Sequence, residues 1–367
     1  MNSTKTTSWT VRKNLRTLAL AALASIALLF LTSCGGEKKN ADFTFKIGTA
    51  NSSLCPAPLH VAIDLGLFEE EFSKAGLKYE AIEIDLMQAT SLVVAKKIDA
   101  TFGLAGSLLP QLDNGLEVSF LTGVHTGCTK FYVRADSPYY SAADLKGKTI
   151  GLCGVQDSST IVWQRKFHEL GLTAYGPEAD FKMAIYGLTD LPIALENGAV
   201  DAVGLHDPVG YLAEKQYGFR NILDTTSDPT FSQEYCCMTF VSSEVAKKYP
   251  EHTKAFIRAM LKASAFTQSQ PYETARLQIE NKHVSGDLES NAEMLKTYNY
   301  TPSVGLAYQT LFNAIDQVVD MGIMQNVADK QSFVDSHFVR YDDVPDSYVY
   351  SDGIYTESKV TKLAQKL

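Results

Sequence analysis

The sequence predicts an α/β fold of two lobes, and three observations predict it. Short apolar segments alternate along the chain with stretches of helical periodicity. Two strand-like segments, 130–135 (KFYVRA) and 235–241 (YCCMTFV), carry the chain out of a first group of elements and back into it. The chain of 367 residues is long enough, even without its first 33, for one large or two medium units with cores of their own.

Taken in order, residues 43–49 (FTFKIGT) alternate and read as the first strand. Residues 56–65 read as a helix stopped by Gly66, and 67–75 as a second helix capped by Gly76. Strands at 78–84, 100–104 and 118–124 alternate with helices at 87–97 and 107–112. After 130–135 and a polar turn at 136–138 come a strand at 149–153, a loop at 154–158 and a helix at 160–169 ended by Gly171. A strand at 181–186, a helix at 191–197, a strand at 202–205, a helix at 209–216 and a strand at 221–224 complete the second lobe. Beyond 235–241 the pattern is helical to 324, with helices at 252–269, 271–281, 287–296 and 304–321. Residues 325–367 hold short Tyr-rich pieces, and the last eleven are compatible with a helix packed on the outside. There are no internal repeats.

The first residues address the chain. Arg12, Lys13 and Arg16 precede an apolar run at 18–31 broken only by Ser25. It is too short and wrongly flanked for a transmembrane span and reads as the h-region of a signal peptide. It ends in Leu31-Thr32-Ser33-Cys34, followed by Gly35-Gly36, the order of a bacterial lipobox. An ordinary signal peptide with a chance cysteine is the plainer alternative. Cys34 is the expected lipidation site, and residues 34–42 the tether of an extracytoplasmic lipoprotein anchored to the membrane without spanning it. The expected division is 1–33 leader, 34–42 lipidated tether, 43–131 with 236–330 lobe one, 132–235 lobe two and 331–367 C-terminal extension.

The whole chain carries a formal charge of −9. Removing 1–33 takes away Lys5, Arg12, Lys13 and Arg16 and no acid, which leaves −13. With no basic patch, nucleic acid is excluded as an expected partner. Beyond Cys34 there are five cysteines, Cys55, Cys128, Cys153, Cys236 and Cys237. An odd number outside the cytoplasm leaves at least one thiol unpaired within the chain, and a reducing habitat would leave all five so. No nucleophile elbow, His-Glu-x-x-His or phosphate-binding Lys motif is present. Cys128 with His125 is a weak thiol–base pair, so no enzyme and no cofactor is expected.

Four segments in order carry a resemblance: HVAIDLGLFEEEFSKAGL (60–77), IDATFGLAGSLLP (98–110), DLKGKTIGLCGVQDSST (144–160) and LENGAVDAVGLHDPVGYLAE (195–214). The chain resembles the substrate-binding proteins of nitrate, sulfonate, taurine and thiamine-precursor importers, with the likeness spread over about 45–320. The resemblance implies a type II periplasmic-binding fold: two α/β lobes joined by two crossover strands, C-terminal helices packed on lobe one, a small-molecule ligand between the lobes, and an ABC permease and its ATPase as partners. In such folds ligands lie beyond the C-terminal ends of the strands. Here that cleft is expected at 50–55, 103–107, 124–128, 153–160, 186–190 and 206–208.

The loop from Gly154 opens a helix, so its N–H groups suit an anion, with Ser158, Ser159 and Thr160 as further donors; helix capping is the competing use of the same hydroxyls. Ser107 has the same placement in lobe one. His206 sits in a matching loop, where a plain loop histidine is the competing reading. All five mature cysteines fall on the cleft or its hinge rim, with His125 beside Cys128. Free cysteine is commonly buried as a small hydrophobe, yet five on the cleft suggest a soft-metal site with Cys55, Cys128, Cys153, Cys236 and Cys237 as candidate ligands. In this the chain is similar to a Cys-rich subgroup of the family, and that likeness implies a thiophilic metal complex or an organometal compound as ligand. A small complex is favoured over a bare ion, because the anion-type loop would have no use for a lone cation. A sulfonate, nitrate, taurine or pyrimidine ligand, with the cysteines as packing, is the alternative.

Overall fold

In the computed structural model, which describes residues 42–51 and 53–363, the chain forms two five-stranded sheets and a small hairpin. The leader, Cys34 and the tether short of Asp42 lie outside the described residues. First come β1 (Thr44–Thr49), α1 (Ala57–Asp64), α2 (Leu67–Lys74), β2 (Lys78–Glu83), α3 (Ala89–Val94), β3 (Ala100–Leu104), α4 (Ala105–Asp113) and β4 (Val118–His125). Gly66, at φ 67°, supplies the left-handed turn between α1 and α2. Three residues then lead into β5 (Thr129–Val133), followed by β6 (Thr149–Leu152), α5 (Ser158–Glu169), β7 (Lys182–Ile185), α6 (Leu191–Glu196), β8 (Ala202–His206), α7 (Val209–Tyr217) and β9 (Arg220–Asp224). The chain returns through β10 (Cys237–Ser242) to α8 (Ser243–Lys248), α9 (Pro250–Ser269), α10 (Pro271–Glu280), α11 (Leu288–Thr297), α12 (Val304–Asp320) and α13 (Lys330–Ser336), and ends in β11 (Ser347–Ser351) and β12 (Ile354–Ser358).

The first sheet runs β2-β1-β3-β10-β4 and the second β7-β6-β8-β5-β9. In the first, β1 is parallel to β2 and β3, and β10 is antiparallel to β3 and β4. In the second, β6 is parallel to β7 and β8, and β5 is antiparallel to β8 and β9. Each sheet is thus built round one reversed strand that follows a crossover. The sequence reading changed lobes at 131/132; β5 already pairs with β8 at Thr129, so the second sheet starts there. Both β4 and β5 are buried along their whole length, although β4 carries Ser119, Thr122 and His125 and β5 carries Thr129 and Lys130.

Aromatic side chains fill both cores. Phe68 stacks on Phe256 of α9 at 5.7 Å, and Phe45 and Phe72 join them. In lobe two Trp163 packs on Phe131 and Phe167 at 4.8 and 4.7 Å. The lobes touch through α4 and α5. A Cβ on Gly106 would lie 3.3 Å from that of Ser158, so α4 approaches this closely because it has none. Arg165 of α5 also reaches across to Gln317 of α12, with Nε donating to Oε1 at 2.6 Å.

Three expectations fail locally. The helix at 87–97 is a 3₁₀ turn, Leu86–Gln88, followed by the short α3. The helix over the hydroxyl cluster starts at Ser158, not Thr160, so that cluster lies within α5. Residues 357 and 358 end β12, and no helix follows up to Leu363. There Asp352 and Gly353, at φ 50° and 83°, close a two-residue hairpin between the paired Ser351 and Ile354. Positive φ at both central residues is what an Asp-Gly turn supplies. The C-terminal extension also covers an edge: Phe120 N donates to His337 O at 2.7 Å and Val339 N to Phe120 O at 3.0 Å.

Candidate functional site

The site grows out of the strand ends that meet at the crossovers. The turn after β1 carries Cys55, the end of β4 carries His125, the first crossover carries Cys128, and β10 opens with Cys237. One ligand atom from each of these four buried residues lies within 4.8 Å of every other. Cys236, on the second crossover, stands beside them, its Sγ 2.9 Å from that of Cys128.

The protons in this cluster are unevenly held. Hydrogen bonds from the Cys128 and Cys237 thiols hold Cys55 well below the usual thiol range. Cys236 is likewise lowered, first by Cys128 and then by Cys237. Cys128, which donates to Cys236, Cys237 and Cys55, is pushed well above it. Burial alone would lower His125, but the charge and hydrogen bond of Cys55, the charge of Cys236 and the Thr126 carbonyl together outweigh burial and raise it. His125 Nδ1 donates to Thr126 O at 3.2 Å, while the buried Nε2 has Cys55 as its only polar partner.

Residues 298–300 wall the cluster. Tyr298 stacks on His125 at 5.0 Å and Tyr300 stands 5.4 Å from it. Tyr300 donates its hydroxyl to Leu54 O at 2.8 Å, and Thr126 N bonds Asn299 O at 3.0 Å, so this segment pins both the Cys55 turn and the first crossover. The sequence reading passed over these tyrosines. Their only signal was two aromatics one residue apart in a break between helices.

From lobe two, His206 donates through Nε2 to Asp157 Oδ1 at 2.9 Å and through Nδ1 to Thr129 Oγ1 at 3.1 Å. Thr129 Oγ1 in turn lies 3.9 Å from Cys236 Sγ. Burial would lower His206, yet the Asp157 carboxylate outweighs it and raises His206 to about 9. Burial would raise Asp157, yet His206 and its hydrogen bond lower it to about 2. These are two views of one interaction. The histidine side contributes fully below its ordinary value near 6.5 and is lost as pH climbs through 9; the aspartate side contributes above about 4 and is lost as pH falls toward 2. His206→Gln is therefore expected to lower stability by about 2 kcal/mol at pH 5–6, and the gap should close toward pH 9. Denaturant melts of both proteins across that range check it; a gap that widens on the alkaline side would defeat the pairing.

The other expected residues lie elsewhere. Asp157, not a hydroxyl, caps α5, accepting from Ser159 N at 2.9 Å and from Ser159 Oγ at 2.5 Å. Thr160 Oγ1 donates back to Gly154 O at 2.6 Å. The Asp157 carboxylate thus stands at the positive end of α5, where an anion would meet it. Ser158 Oγ is buried and unpartnered, facing a void of about 40 Å³ between the lobes that Gly106, Arg165 and Cys236 also line. Cys153 does not join the thiol cluster. With Ser107 it lines a separate cavity of about 370 Å³ between the lobes, beside Met87, Gln111 and Asp157. Burial, then Asp157, pushes the Cys153 thiol up to about 12. The three cations that border the site are each matched: His206 by Asp157, Lys130 by Asp207 at 3.1 Å, and Arg165 by Glu234 at 2.7 Å.

Two lobes, two crossover strands and C-terminal helices on lobe one make this the periplasmic-binding fold. The periplasmic aliphatic sulphonate binding protein SsuA of Escherichia coli shares it, at 16% identity over 87% of this chain and 97% of that one, with a TM-score of 0.64. So do the periplasmic nitrate-binding protein NrtA of Synechocystis PCC 6803 (14%, 80% and 85%, TM-score 0.60) and the CA3427 gene product of Candida albicans (16%, 84% and 99%, TM-score 0.61). No curated protein matches the sequence. The chain belongs to the NMT1/THI5-like family, whose model matches residues 56–274.

Proposed function

We propose that the chain is the extracytoplasmic solute-binding component of an ABC importer, held at the membrane by lipid on Cys34. It delivers a small thiophilic solute, a soft metal ion or a compound of one, to a permease and its ATPase. The observation that carries this reading is the convergence of Cys55, His125, Cys128 and Cys237 in one buried set between strand ends. Thiolate and imidazole donors select soft ions. The names of the sulphonate- and nitrate-binding neighbours favour a second reading, a small oxyanion with the cysteines as packing. Against it, every cation bordering the site already has a carboxylate.

The test is anaerobic titration of the reduced protein with Hg(II), Cu(I) and a short alkanesulfonate, beside a Cys55→Ser/Cys237→Ser variant. The soft ions are expected to bind and to stabilise by roughly 2.7 kcal/mol at a hundredfold excess over Kd, and the variant to lose this. Sulfonate binding of equal strength in both proteins would establish the second reading. Cys34→Ala should move the protein from the membrane to the soluble fraction; unchanged fractionation would remove the anchor from the proposal.

A further inference from the structure

The shape of the thiol set narrows the solute. We infer that it takes one bare divalent d¹⁰ cation, four-coordinate through Cys55, Cys128, Cys237 and His125, with no ligand brought by the ion itself. This rests on the reading of the thiol set as the solute site and deepens it.

Three observations carry the inference. The first is size. A tetrahedral ion with bonds of about 2.3 Å to sulfur and about 2.0 Å to nitrogen holds its donors roughly 3.5–3.8 Å apart. Donors already within 4.8 Å of one another need only contract slightly round a single atom, and a molecule does not fit among them. The second is the imidazole. Its Nδ1 is engaged by Thr126 O, which leaves the buried Nε2 as the ring nitrogen available to the thiol set, where Cys55 is its only polar partner. A metal-binding histidine needs this arrangement, with one ring nitrogen held by the backbone and the other turned to the sulfur donors. The third is the loop at the start of α5. An anionic co-ligand there would have to sit against the Asp157 carboxylate, which already accepts from Ser159 N at the positive end of the helix. With that carboxylate in place, a metal–anion complex has no second anchor.

Charge selects the divalent ion. Three thiolates and a neutral imidazole leave a net −1 round a divalent cation and −2 round a monovalent one, and buried charge is costly. Binding releases the protons of whichever ligating thiols are not already thiolates. The donors also divide by lobe: Cys55, His125 and Cys237 are fixed to the first sheet or its β1 turn, whereas Cys128 lies on the crossover. The ion therefore ties the crossover to lobe one. Cys153 lies across the lobes, and Cys236, which touches Cys128 and Thr129, is not among the four mutually close donors.

Cobalt(II) reads the coordination directly. Full-length protein in detergent, reduced and without air, is titrated with Co(II) and then with Zn(II). We expect strong visible bands and near-ultraviolet sulfur-to-cobalt charge transfer saturating at one ion per chain, bleached by one equivalent of Zn(II). Cys55→Ser, Cys128→Ser and Cys237→Ser should each weaken Zn(II) by roughly a hundredfold or more and shift the bands. Cys153→Ser should keep both, and because this variant carries the same kind of change it also controls for misfolding. A weak octahedral spectrum, bands that appear only with an added small thiol, preference for Cu(I) over Zn(II) at two thiols, or equal loss in Cys153→Ser would each overturn the inference. The measurement does not involve the importer. A protein that passes it but supports no permease-dependent uptake keeps the site and loses the transport reading; one that fails it while taking up a soft solute keeps transport and loses the bare ion.

Discussion

Gly127→Ala is expected to cost about 3–5 kcal/mol and to pull Cys128 out of the thiol set. Gly127 stands between His125 and Cys128 at φ 86°, a conformation a side chain resists. A Cβ there would meet Thr226 Cγ2 at 2.3 Å and Thr226 Cα at 3.1 Å. The first contact is with a methyl on a fixed β-branched residue and the second with backbone, so neither yields by a simple rotamer change. The two crossovers are pressed together at this point, and the alanine must force them apart. Thermal and denaturant melts give the stability, and the Co(II) bands report on Cys128. Adding Thr226→Ser removes the methyl contact but not the dihedral strain, so it should restore part of the loss. An alanine variant as stable as wild type would mean that the crossovers are not in contact in solution.

Arg165→Met is expected to cost a similar 3–5 kcal/mol and to open the lobes. Arg165 lies on α5 of lobe two; Glu234, its partner at 2.7 Å, lies just before the second crossover strand, and Gln317 belongs to α12. Phe231 covers the guanidinium at 5.0 Å. Both charged side chains are about 6% exposed, so removing the cation strands a buried carboxylate with no solvent to take over. The double variant Arg165→Met/Glu234→Gln should recover much of the loss, because the stranded charge is then gone. Small-angle scattering should show a larger radius for the single variant. An unchanged radius with unchanged stability would show that this pair does not hold the lobes together.

The sequence carried the order of elements well, because each lobe repeats the strand–helix alternation. It also placed Cys55, His125, Cys128, Cys236 and Cys237 near one another, since strand ends in such sheets point to one edge. It could not exclude Cys153, which ends a strand of the right kind but in the other lobe, on a different cavity. Nor could it choose the α5 cap: Asp157, Ser158, Ser159 and Thr160 are all good capping types, and only the backbone decides that Asp157 stands first. The clamp of Tyr298 and Tyr300 was illegible because it depends on where α11 delivers the next loop. The Asp352-Gly353 hairpin was legible and was overlooked: alternating tyrosines flank a two-residue turn of the most favoured composition.

The position of β10 has a consequence for how the chain assembles. All five strands of the second sheet come from one unbroken stretch, β5 through β9, so that lobe can close as soon as residue 224 is available. The first sheet cannot: β3 and β4 each pair with β10, which lies between them and is made more than a hundred residues after β4 starts. Although lobe one leads in the chain, its sheet stays split until the return strand arrives. The N-terminal third must wait, half-formed, with the edges of β3 and β4 unpaired, while the middle of the chain folds.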